Sequence, residues 1–161
     1  NDPEMDNMEV LSKYNNQYTA GGDKGLIDQK RGGDNWKLGL WQGYWGEDFV
    51  AVLEINKDGI PSRLGANFIQ DQKSWIFLPS EVEYYVSDDG KNYKLLEVVK
   101  NDMPERSEEI LQKTFYTSKP IEHRFIKVIA KNIKKNPSLS SLSVSRVEVI
   151  KCSILLIPFA L

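Results

Sequence analysis

From residue 49 onward, apolar residues recur at every second position in short runs, and each run ends in turn-forming residues. This pattern limits the possible folds more than any other feature of the chain. Period two places alternate side chains on opposite faces of a strand, one toward a core and one toward water. Residues 49–56 form the first such run, closed by Lys57-Asp58-Gly59. Residues 60–70 form the second, with Gly65 marking a bulge or bend. In 81–87, Val82, Tyr84 and Val86 share one face. Asp88-Asp89-Gly90 then supplies a hairpin turn, Gly90 taking positive φ at little cost, and 93–99 returns as the partner. Residues 109–117 read as a strand, although Glu-Glu-Ile-Leu-Gln-Lys also suits a helical turn. In 124–131, Ile126, Val128 and Ala130 share a face; in 144–151, Val147 and Val149 point inward. Seven short strands without a long amphipathic helix predict an all-β chain, an antiparallel sandwich or barrel.

The rest of the chain is organised around these strands. Its 161 residues suit one domain, and a hydrophobic share of 40% suits a packed core. Residues 1–17 are a polar lead-in with one helical turn expected around 8–14. Residues 18–48, rich in glycine and aromatics without alternation, read as long loops. The sandwich spans 18–151, and 152–161 is an apolar tail that must bury its side chains on the sandwich or on a neighbouring chain. Its apolar run falls short of the roughly 20 residues needed to span a bilayer. A net charge of −2 offers no field for a phosphate backbone, which argues against nucleic acid. The single Cys152 excludes an intrachain disulfide framework and a Cys-rich zinc site. A first residue of Asn1, with no signal peptide ahead of it, reads as a processed chain or a piece of a longer one.

Trp36, Trp41, Tyr44, Trp45 and Phe49 crowd together among Gly39, Gly43 and Gly46. Two readings fit. Aromatic rings in loops can stack on the apolar C–H faces of sugar rings, or they can form a buried loop core that glycines allow to pack closely. Core suits Trp41 and Phe49 better; Trp36, Tyr44 and Trp45 stay open. Asp23, Asp28, Asp34, Glu47 and Asp48 share these loops. Loop carboxylates beside glycines suit a calcium ion or simple turn capping better than a facing acid/base pair. His123, flanked by charged residues at the start of a strand, and Cys152, after the last one, read as strand edge and small buried hydrophobe, not as nucleophilic machinery. The Gly21-Gly22-Asp23-Lys24-Gly25 loop lacks the spacing of a phosphate cradle.

Several segments, in order, resemble the discoidin-like (coagulation factor 5/8 type C, galactose-binding-like) domain at the C-terminus of bacterial chitobiases, which are β-N-acetylhexosaminidases. They are YTAGGDKGLID from Tyr18 to Asp28, Arg31-Gly32, WQGYWGED from Trp41 to Asp48, and VAVLEI from Val50 to Ile55. Asn67-Phe-Ile-Gln70, Trp75-Ile-Phe-Leu-Pro79, VEYYVSDDG from Val82 to Gly90 and RFIKV from Arg124 to Val128 follow. The resemblance covers roughly 18–132 and fades after Asn132. It implies a jelly-roll sandwich that binds sugars through loops at one end and catalyses nothing, the hydrolase site lying elsewhere in a larger glycosidase. It also implies one structural calcium; the expected place is the loop 25–35, with Asp28 and Asp34 as side-chain ligands and backbone oxygens from Gly25 and nearby residues. Arg146 stands where such domains carry a ligating Glu, and Glu148 is the substitute.

Taken together, the expected function is a non-catalytic carbohydrate-binding module of a bacterial glycoside hydrolase that is secreted, periplasmic or on the outer cell surface. Trp36, Tyr44, Trp45 and Trp75 are the expected platforms; Asp23, Arg31, Asn35 and Gln72 are the expected polar partners. Glycans containing N-acetylglucosamine or galactose and the catalytic domain of the parent chain are the expected partners. The alternatives are a structural spacer and a discoidin domain that binds protein or cell surface without sugar affinity. Exposed loop aromatics favour sugar binding; buried ones favour the spacer.

Overall fold

The computed structural model describes residues 5–27, 32–55, 60, 63–104, 106–133, 148–150 and 155–157. Ten strands are found among them: β1 Met5–Val10, β2 Gln42–Tyr44, β3 Phe49–Ile55, β4 Arg63–Gln70, β5 Glu81–Ser87, β6 Lys94–Lys100, β7 Leu111–Tyr116, β8 Phe125–Ala130, β9 Glu148–Ile150 and β10 Leu155–Ile157. They form an antiparallel sheet in the order β1-β3-β8-β5-β6, a second in the order β10-β4-β7, and the pair β2-β9. The chain is all-β, and the two larger sheets face each other across one core.

Alternation builds that core. In β3 the inward positions Phe49, Ala51, Leu53 and Ile55 are fully buried, and the residues between them are half-buried. Val82, Tyr84 and Val86 of β5, and Ile126, Val128 and Ala130 of β8, share the same face, as their spacing predicts. From the opposite sheet come Leu64, Ala66 and Phe68 of β4 and Phe115 of β7, the two phenyl rings meeting edge to face at 5.5 Å. The Tyr84 hydroxyl crosses the core to donate to the Phe115 carbonyl, so that the two sheets share a buried hydrogen bond.

Three local expectations are corrected. The helical turn around 8–14 is absent; Met5–Val10 extends as β1 on the edge of the large sheet, because Met8 is buried against the core and Val10 packs there too. The 18–48 stretch is not all loop, since Gln42–Tyr44 forms β2. Residues 109–117, expected as a strand, do form β7 from Leu111. Gly65 causes no bulge, and β4 pairs with β7 in unbroken register. A Cβ at Gly65 would lie 2.6 Å from the Tyr116 ring, so the missing side chain makes room for a cross-strand aromatic. By contrast, Gly90 does turn the β5–β6 hairpin at φ 73°. Residues 155–157, in the apolar tail, pair with β4 as β10. Val147 and Cys152 lie outside the described residues, as does the side chain of Val149.

Candidate functional site

The loop aromatics separate into a buried group and an exposed one. Trp41 is fully buried, and its Nε1–H donates to the Gly33 carbonyl at 2.9 Å. A Cβ at Gly32 would stand 2.3 Å from the indole, so glycine is what lets the backbone lie on that ring. Phe49 and Tyr44 are fully buried and meet edge to face at 5.3 Å. The Tyr44 hydroxyl donates to the Gln42 side chain, whose amide in turn donates to the Thr19 carbonyl at 3.0 Å. Tyr44 was an expected sugar platform and is not one: its ring is enclosed and its hydroxyl is satisfied internally.

One residue later the chain leaves β2, and Trp45 is 47% exposed. It lines a pocket of about 260 Å³ together with Lys13, Tyr14, Asn15, Asn16 and Glu47. One wall is a strap that follows β1. Leu11 N–H donates to the Val50 carbonyl at 2.8 Å, and the Ser12 hydroxyl accepts from Val50 N–H at 2.9 Å. Asn15 N–H donates to the Gly43 carbonyl at 2.7 Å, and Gly43 N–H to the Tyr18 carbonyl at 2.9 Å. Asn15 Oδ1 accepts from Gln17 N–H at 2.8 Å and closes the turn. The opposite wall is the loop between β2 and β3, anchored by Asp48, whose carboxylate accepts from Asn132 N–H at 2.9 Å and faces Lys131 Nζ at 3.5 Å. Backbone bonds, with the Ser12 hydroxyl and the Asn15 amide oxygen, hold the two walls, and Lys13, Trp45 and Glu47 stay exposed beside them. An exposed indole beside amides, a phenol and two charged groups can stack on an apolar ring face while exchanging hydrogen bonds with hydroxyls.

The other expected residues do not join this pocket. Trp36 is half-buried; its Nε1–H donates to Asp71 at 3.0 Å and its ring meets Tyr18 edge to face at 5.7 Å. Trp75 is half-buried at φ 62° beside the 3-10 turn Gln72–Ser74, its ring against Phe77 at 5.1 Å. Asp23 accepts from Val10 N–H at 3.0 Å, bracing edge strand β1. Asn35 caps the short turn Trp36–Leu38 by accepting from Lys37 N–H at 3.1 Å. Gln72 accepts from Ser107 N–H at 2.7 Å. These three polar groups serve the backbone. Arg31 lies outside the described residues. Burial alone would raise the Asp71 pKa, but hydrogen bonds from Trp36, from the Ser74 hydroxyl and from the Ser74 and Lys73 N–H groups outweigh it and hold the carboxyl below its ordinary 3.8.

The expected calcium ligands are placed apart from the pocket where they are described. Asp34 Oδ1 is engaged by Gln112 Nε2 at 2.7 Å. Gly25 packs so tightly on Ala20 that a Cβ would fall 1.7 Å from the Ala20 carbonyl oxygen. Asp28 and the Glu148 side chain lie outside the described residues. Among the described residues no three His, Cys, Asp or Glu side chains converge. No helix among the described residues is long and apolar enough to cross a membrane.

The sequence missed Lys13, Tyr14, Asn15 and Asn16, placed in the lead-in, and named Glu47 only as a loop acid. The available signal was Tyr14-Asn15-Asn16-Gln17, an aromatic followed by three amides.

No protein-family model matches the chain, and no curated protein matches it. Among solved structures, the chain is similar to CpGH89CBM32-5 from Clostridium perfringens, determined in complex with GalNAc-β-1,3-galactose (14% identity, 90% of each chain covered, TM-score 0.49). It is similar to CBM32-1 of a family 31 glycoside hydrolase from Clostridium perfringens (16% identity, 91% of each chain, TM-score 0.46). It is also similar to the C-terminal domain of a chitobiase from Bacteroides fragilis (14% identity, 94% of this chain and 99% of that one, TM-score 0.42).

Proposed function

We propose that this domain is a non-catalytic carbohydrate-binding module and that the Trp45 pocket is its binding site. The observation that carries the proposal is the 47% exposure of Trp45 in a pocket lined by hydrogen-bonding side chains. Large aromatics are ordinarily packed away, as Trp41, Tyr44 and Phe49 are here; one left open beside polar groups suits a ligand with an apolar face and a polar rim. The lack of catalysis is supported by the pocket's composition. Among its lining residues Glu47 is the single carboxylate, whereas glycoside hydrolysis ordinarily needs a second one about 5–9.5 Å away. The wider setting, a secreted or cell-surface bacterial glycosidase of the β-N-acetylhexosaminidase type whose catalytic domain is the neighbour in the chain, belongs to the same proposal and rests on the sequence resemblance.

A shallow site of this size gains only a few kcal/mol beyond the cost of association, so a millimolar-to-micromolar Kd, about −4 to −8 kcal/mol, is expected. The test is calorimetric titration with chito-oligosaccharides and galactosides, alongside an aryl-hexosaminide hydrolysis assay. Weak saturable binding with no turnover is the expected result. Silence with every glycan would favour the spacer, and turnover lost on replacing Glu47 would refute the non-catalytic reading.

A further inference from the structure

We propose that Lys13 and Glu47 act as a paired charge filter that restricts the Trp45 pocket to uncharged glycans. The filter would reject uronate- or sialate-bearing sugars on one side and sugars with free amines on the other. This rests on reading the pocket as a glycan site and adds which glycans it takes. The two groups reach the pocket from different segments, Lys13 from the strap after β1 and Glu47 from the loop between β2 and β3. Among the described residues neither enters an ion pair, whereas Asp48, next in the chain, faces Lys131 and accepts from Asn132. Among the described residues the pocket therefore presents one cation and one anion to whatever enters.

Three ligand classes meet that pair differently. A sugar carboxylate attracted by Lys13 is repelled by Glu47. A sugar ammonium attracted by Glu47 is repelled by Lys13. A neutral sugar uses both groups, one hydroxyl donating to Glu47 and another accepting from Lys13, and bonds to a charged partner are stronger than neutral ones. The pocket's dimensions are comparable to the Debye length, about 8 Å at physiological ionic strength, so neither charge is fully screened from a bound ligand. Specificity here comes from what the site repels as much as from what it attracts.

The test compares the wild type, Glu47→Gln and Lys13→Gln at low ionic strength by titration followed through tryptophan fluorescence. The probes are lactose and its sialylated form, and chitotriose and its fully deacetylated form below the pKa of its amines. Both substitutions are at exposed positions, and thermal melts confirm folding. The wild type is expected to bind the neutral probes more tightly than the charged ones. Glu47→Gln should tighten sialyllactose binding about threefold and Lys13→Gln the deacetylated trimer about threefold, the scale of one exposed charge contact, with both gains erased by high salt. A switch in either variant supports the filter. Neutral binding with unchanged discrimination in both variants overturns the filter while leaving the glycan site standing. Silence of the wild type with all four probes overturns both.

Discussion

Tyr44 and Trp45 are adjacent aromatics, and their surroundings give them different work. Tyr44 has no exposure, a phenyl partner and an internal acceptor; Trp45 has an open ring. Tyr44→Ala should therefore cost about 3–5 kcal/mol in urea unfolding, the range for truncating a large buried aromatic. Trp45→Ala should change stability by no more than about 0.5 kcal/mol while weakening glycan binding at least about tenfold, as for a binding hot spot. Equal losses of stability in the two variants would contradict this division of roles. Asp71 supports a pH prediction. Its folded pKa lies below 3.8, so it contributes stability that is present above the unfolded value and is lost as pH falls through the folded one. Asp71→Asn should flatten the decline in melting temperature below about pH 3.8, and an unchanged acid limb would show that Trp36 and Ser74 do not hold the carboxylate.

At the level of elements, the Tyr84 hydroxyl joins the two larger sheets directly. Tyr84→Phe keeps the ring in the core but leaves the Phe115 carbonyl without this donor, and a loss of about 1–2 kcal/mol is expected in chemical denaturation. An unchanged midpoint would mean that the carbonyl is satisfied in another way. The strands on either side of this bond were the legible part of the sequence. β3, β5, β6, β7 and β8 fall within a few residues of their expected spans, because burial on one face writes a period-two pattern directly into the residue order. β4 is described from Arg63, three residues after the expected start at Ile60. β1 and β2 were not legible. β2 has three residues, all buried, so it shows no alternation, and its Gln42 is a polar residue held inside by Thr19 and Tyr44. β1 is an edge strand with Met8 as its one fully enclosed side chain among those described, too little apolar signal to outweigh its polar neighbours.

Across the whole molecule, the candidate site was half legible for the same kind of reason. Aromatic density among glycines pointed to 36–49, and Trp45 lies within it. The second wall of the pocket comes from 13–16, some thirty residues earlier in the chain, and meets Trp45 only because the strap after β1 is bonded across β2 and β3. That proximity follows from long-range strand pairing, to which local composition is blind. Trp36 and Trp75 show the converse: both were expected platforms, and both are half-buried against ring neighbours, outside the lining of the pocket.

The four tryptophans provide the most direct test of the central claim, because each contributes one indole N–H signal in a proton–nitrogen correlation spectrum. Trp36 is bonded to Asp71, Trp41 to Gly33, and Trp75 Nε1 is enclosed. On titration with chitotriose or lactose, the Trp45 indole signal should shift progressively and saturate, while the other three stay within the scatter of a blank titration. Movement of the Trp36 or Trp75 signal with Trp45 still, or no movement of any of the four, would contradict the assignment of the Trp45 pocket as the site where this domain holds its glycan.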